Sequence, residues 1–114
     1  MTEDAEPTLA ALLEELREGF SDTQRRDGPA GRDYLVGAQP FARLQGGRAE
    51  FRLRPEIAAA AARTGDTTTS PLGQEWVAFS PKRLDQYALD RAQSWFELAH
   101  RLAAEASSSR QKPH

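Results

Sequence analysis

Leu9, Leu12, Leu13, Leu16 and Phe20 recur at three- and four-residue steps, a spacing that predicts a helix over 7–20. Pro7 and Thr8 are its start signals, and Gly19 marks its end. A longer stripe, Ala88, Leu89, Ala92, Trp95, Phe96, Ala99, Leu102 and Ala103, predicts a closing helix from Asp85 or Asp90 to Ala106. Arg91, Glu97, Arg101 and Glu105 lie off that stripe. Between the two helical stretches the period falls to two. "RDYLV", "PFARL", "RAEFRL" and "EWVAF" read as strands, rich in β-branched and aromatic residues. Pro55 opens a further helix that "EIAAAAAR" carries to Thr64. The polar stretches "SDTQRRDGPAG" (21–31) and "TGDTTTSPLG" (64–73) read as loops.

"QGG" between the second and third strands sets a register. A two-residue primed turn at Gly46 and Gly47, with positive φ at both, pairs Leu44 with Ala49, Arg43 with Glu50, Ala42 with Phe51 and Phe41 with Arg52. One face then carries Ala42, Leu44, Ala49, Phe51 and Leu53, while Arg43, Arg48, Glu50, Arg52, Arg54 and Phe41 fall on the other. The last helix needs an apolar surface, and the first of these faces supplies it. Trp95, Phe96, Leu102, Phe51 and Leu53 are expected to pack together there. The fold expected is α+β: an antiparallel sheet of about four strands, in the order α-β-β-β-α-β-α, with helices mainly on one face. It spans a single domain over 7–106, between disordered polar ends at 1–6 and 107–114.

Composition narrows the class. The chain has 114 residues, room for one domain, and its longest apolar run, Ile57 to Ala62, is too short to cross a bilayer. The acidic start "MTEDAEPT" is unlike a secretory or transit signal, and the lack of cysteine removes disulfides and thiol chemistry. Both fit a reducing cytoplasm. Thirteen arginines against two lysines, with abundant alanine, suggest a GC-rich bacterial genome. The net charge of −2 is unevenly spread: residues 1–27 carry −5, residues 28–63 carry +3, and the remainder balances. A basic patch can therefore form only on the middle third.

Four of the arginines fall within 40–56. Strand chemistry accounts for two, since Arg43 faces Glu50 and Arg52 sits beside the ring of Phe41. Arg48, Arg54 and Arg63 are left unassigned and are the candidates for nucleic-acid contact. His100 borders the apolar stripe, and with His114 in the tail as its only fellow it makes no metal site. Neither a phosphate-binding Gly-rich loop with lysine, nor HExxH, nor G-x-S-x-G occurs. No catalytic residue, metal or cofactor is assigned. Trp76 and Glu75, with Asp66 in the "TGDTTTSP" loop, are the pocket candidates.

"GAQPFARL" (37–44), "FRLRPE" (51–56) and "WVAF" (76–79) carry a resemblance to the MmcQ/YjbR-like family of small bacterial proteins, over roughly residues 32–104. A similar layout occurs in the N-terminal domain of TfoX-like competence regulators and in a small family labelled as a luciferase domain. The resemblance implies a compact α+β domain with a DNA-binding label. Where that family commonly has a lysine or histidine just before the tryptophan, this chain has Gln74 and Glu75, which removes positive charge there. The expectation is a cytoplasmic, non-catalytic binding or regulatory module, monomeric or homodimeric, whose partner is a protein or small ligand and which does not engage membranes. DNA binding through the arginines is the less favoured alternative, and a small-ligand or enzymatic domain with a pocket near Trp76 is another.

Overall fold

The computed structural model describes residues 8–111. In chain order they form α1 (Leu9–Glu18), β1 (Thr23–Gly28), β2 (Gly31–Val36), β3 (Gln39–Gln45), β4 (Arg48–Arg52), α2 (Pro55–Ala61), β5 (Thr67–Ser70), β6 (Gly73–Phe79) and α3 (Gln86–Gln111). The strands make one six-stranded antiparallel sheet in the order β1-β2-β3-β4-β6-β5. The expected segment 1–6 and residues 112–114 of the expected tail lie outside the described residues. No helix of the described chain is long and apolar enough to cross a membrane.

An expectation of about four strands in the order α-β-β-β-α-β-α is thereby corrected. β1 and β5 occupy the segments read as loops, and they are the two edges of the sheet. β1 buries only Thr23, and β5 only Thr67 and Ser70. An edge strand with so little to bury shows no apolar alternation, so periodicity cannot reveal it. The "DGPAG" stretch is the hairpin turn between β1 and β2, with Gly28 paired to Gly31.

Local signals set the helix ends. Thr8 caps α1 by accepting the Ala11 amide at 3.0 Å, and Asp85 Oδ1 accepts the Ala88 amide at 2.9 Å at the start of α3. The β3–β4 pairing has Leu44 opposite Ala49, Arg43 opposite Glu50 and Ala42 opposite Phe51, as the turn predicts. The turn itself differs from expectation. Of its two glycines only Gly46 has positive φ (61°), the pattern of a type II′ turn.

One face of the sheet carries the core. Tyr34, Ala42, Phe51 and Val77 share a row of register, with Leu44, Ala49 and Phe79 in the next. These residues form one cluster with Leu13 of α1, Ala58 and Ala61 of α2, and Ala92, Phe96, Ala99 and Ala103 of α3, so the helices lie on this face. Phe96 is its centre, meeting Tyr34 at 5.7 Å and Phe41 at 5.2 Å edge-on, with Phe20 at 6.3 Å. Trp95 and Leu102, expected inside, are only half-buried; Trp95 leans on Phe51 and Phe79.

Phe41 belongs to this core and not to the arginine face. Tyr34 pairs with Ala42 but Leu35 with Pro40, so Phe41 is the extra residue of a bulge. A bulge re-aims the side chain, and Phe41 turns fully inward against Phe96 and His100. Arg52, deprived of that ring, pairs instead with Glu75 at 3.1 Å. Arg43 makes its ion pair with Asp33 at 2.7 Å, which holds its guanidinium pKa up. Glu50, across from it, accepts the Ser70 hydroxyl at 2.5 Å.

α1 is fastened to the β1–β2 hairpin by Glu14. Its carboxylate accepts the Tyr34 hydroxyl at 2.8 Å and pairs with Arg17 and Arg25, each at 3.2 Å. Partial burial pushes the Glu14 pKa up. The Tyr34 hydrogen bond, followed by the Arg17 and Arg25 contacts, outweighs it and holds the carboxyl below its ordinary value. Burial pushes the Tyr34 hydroxyl up to about 12, so it stays a donor. A depressed carboxyl pKa contributes stability that is present above the unfolded value and lost as pH falls through the folded one. Glu14→Gln is accordingly expected to cost about 1 kcal/mol near neutral pH. The difference from wild type should vanish as the solution is acidified past the ordinary carboxylate range. Urea melts of both proteins at neutral and acidic pH read this directly, and a gap that persists in acid would contradict it.

Candidate functional site

The corner where β4 hands over to α2 makes a small pocket. Leu53 ends the strand run, its amide donating to the Glu75 carbonyl at 2.6 Å, and Arg54 stays extended (φ −76°, ψ 152°) as the residue before Pro55. α3 passes above with small side chains. Leu53, Ala99 and Ala103 are buried, and with Leu102 and Ala106 they give an apolar lining. Arg52, Arg54, Pro55 and Glu75 complete the walls around a volume of ≈ 150 Å³.

Electrostatics at the mouth are unbalanced. Arg52 and Glu75 neutralise each other at 3.1 Å, with side chains 32% and 40% exposed. Arg54 is exposed and has no polar partner among the described residues. Next to an apolar hollow there is therefore one unneutralised guanidinium. Such an arrangement can seat a short aliphatic group and pair its carboxylate with Arg54 in the planar fork that guanidinium offers. Among the described residues its lining holds no nucleophile–base pair.

Arg54 and Glu75, singled out from the sequence for different reasons, thus meet at this pocket. The others go elsewhere. Arg48 begins β4, six residues from Arg54 and about 20 Å along an extended strand. It donates to Gln45 Oε1 at 2.8 Å, while its Nε is buried without a partner among the described residues. Arg63 is exposed beyond the opposite end of α2 from Arg54. These three arginines do not converge. Trp76 pairs with Arg52 in register, on the other sheet face from Val77 and the helices, and is half-buried. Asp66, at φ 61°, accepts the Ser80 amide on its carbonyl at 2.8 Å and the Lys82 amide on Oδ2 at 3.3 Å. It lines a separate hollow of ≈ 260 Å³ with Lys82, Arg83 and Arg91. At its rim Arg91 donates to the Gly65 carbonyl at 3.3 Å and lies over the Trp95 ring.

Sequence reasoning missed the lining from α3. Ala99 and Ala103 read as ordinary stripe residues and Ala106 as the helix end, although their small size is what leaves space below the helix. It also placed His100 at a boundary. His100 is buried, stacked on Phe20 at 4.1 Å with Nε2 at 2.8 Å from Asp22 Oδ1. The two partners are 78 residues apart, and nothing local announces the pair.

No family model and no curated protein matches this chain. A crystal structure of a protein from Pseudomonas syringae, a Northeast Structural Genomics Consortium target, is similar in fold, with a TM-score of 0.63 at 10% sequence identity. The match covers 85% of this chain and 99% of that one. At this identity the likeness shows the shared architecture alone.

Proposed function

We propose that this chain is a non-catalytic binding module whose pocket at the β4–α2 corner takes a short aliphatic group bearing a carboxylate. The single observation behind this is Arg54, without a polar partner among the described residues, beside the apolar lining of Leu53, Ala99 and Ala103. A cavity of ≈ 150 Å³ matches the size that admits a benzene-sized group. The lack of cysteine fits a reducing cytoplasm, where we place the protein. The DNA-binding alternative needs Arg48, Arg54 and Arg63 on one surface, and their separation favours solvated or locally bonded charges instead.

Hexanoate and hexylamine serve as probes, followed by amide NMR on the labelled protein. Hexanoate is expected to move the Leu53, Arg54, Ala99 and Ala103 amides with an affinity near 1 mM, about 4 kcal/mol. Hexylamine should not. Arg54→Glu reverses the charge of the mouth and should exchange the two responses. Shifts scattered over the surface, or a hexanoate response unchanged in Arg54→Glu, would remove the reading. Duplex DNA at physiological salt is expected to leave the Arg48, Arg54 and Arg63 amides unmoved.

A further inference from the structure

The hollow of ≈ 260 Å³ lies where the turn after α2 and the loop after β6 meet the first turns of α3. Lys82 and Arg83 of the loop and Arg91 of the helix line it, as do the carboxylates of Asp66 and Asp85. Three cations against two acids leave one positive charge in surplus. Both acids are committed to the chain's own backbone: Asp66 Oδ2 accepts the Lys82 amide at 3.3 Å, and Asp85 Oδ1 the Ala88 amide at 2.9 Å. Arg91 is held in place by the Gly65 carbonyl and the Trp95 ring. Lys82 and Arg83 are exposed, and their side chains have no hydrogen bond or ion pair among the described residues. Beside them Tyr87 holds its ring out in water, 81% exposed.

We propose that this hollow binds a phosphate monoester carried on a flat aromatic ring, the chemistry of a nucleoside monophosphate. The donors favour phosphate over carboxylate. One ammonium and two guanidiniums come from two different elements, and the three oxygens of a phosphate can meet them where a planar carboxylate meets a single fork. A phosphate monoester also carries roughly twice the charge of a carboxylate at neutral pH, so it gains more from the surplus positive charge. Tyr87 supplies the other contact, since an exposed aromatic beside cationic side chains is a stacking platform for a base. The volume exceeds what the anion alone fills and leaves room for a ring against Tyr87. No lining residue is shared with the pocket at the β4–α2 corner, so the two sites stand or fall separately.

Titration of the labelled full chain with adenosine monophosphate, adenosine and inorganic phosphate, followed by amide NMR, tests this. Adenosine monophosphate is expected to move the Gly65, Lys82, Arg83, Tyr87 and Arg91 amides with a Kd on the order of 0.1 mM, leaving Leu53 and Arg54 unmoved. Adenosine and inorganic phosphate, each lacking one of the two contacts, should bind about tenfold more weakly. Tyr87→Ala should weaken the nucleotide about tenfold and leave inorganic phosphate unchanged. The double variant Lys82→Ala, Arg83→Ala should weaken the nucleotide by about tenfold or more and leave adenosine unchanged. All three side chains are exposed, and circular dichroism checks that the variants fold. Should the double variant fold poorly, Arg83→Ala alone carries the same test. Shifts outside the hollow, a nucleotide no tighter than adenosine or inorganic phosphate, or variants that bind it as the wild type does would overturn the proposal.

Discussion

Phe96→Ala is expected to destabilise the domain by about 3–5 kcal/mol, the range for truncating a fully buried aromatic. Phe96 is completely buried, and its ring touches Phe20 after α1, Tyr34 of β2 and Phe41 of β3. Removing it opens a cavity where α3 holds α1 and the sheet together, and the rigid rings around it cannot collapse to fill the space. Loss of this size takes much of the stability of a domain that has about 5–15 kcal/mol in total. Trp95→Ala, next in sequence, should cost roughly half as much, because Trp95 keeps part of its surface in water. Chemical denaturation of both variants orders them. A Trp95 effect larger than that of Phe96 would place the centre of the core one residue away.

Gly31→Ala is expected to cost about 2–4 kcal/mol, which is large for a single added methyl. Gly31 opens β2 at φ +128°, a conformation that L side chains rarely adopt. A Cβ there would stand 2.5 Å from the Leu44 carbonyl oxygen. That atom is backbone in the neighbouring strand and cannot swing aside. Gly28→Ala, at the other end of the same turn, meets nothing within 4 Å and serves as the control. Thermal melts should show a substantial fall for Gly31→Ala and little change for Gly28→Ala; equal effects would mean that the turn, and not the close approach to β3, governs the loss.

What could be read in advance depended on burial on one side only. The α1 and α3 stripes and the β3–β4 pairing were legible because each element presents one face to the core, so its apolar residues recur at its own period. Thr8 was readable from chain-local chemistry, as was Pro55. β1 and β5 were not. Their side chains meet water almost throughout, and what makes them strands is the backbone of β2 and β6 beside them. Phe41 was misplaced for a related reason. Alternation assigns it to the arginine face, and only the shifted pairing of β2 with β3 turns it inward.

The candidate site divides along the same line. By itself the sequence determined that Arg54 precedes a proline-led helix, that Glu75 lies in a tryptophan-bearing strand, and that the last helix carries small residues at helical spacing. Those are properties of neighbours along the chain. Tertiary structure alone decided that Arg52 would be neutralised by Glu75 while Arg54 found no polar partner among the described residues, and that Ala99 and Ala103 would pass above Leu53. It decided likewise that Asp33, and not Glu50, would take Arg43. Such pairings join residues far apart in the chain at distances of a few ångströms. They are fixed by how strands register and helices pack, which no local pattern of residues encodes.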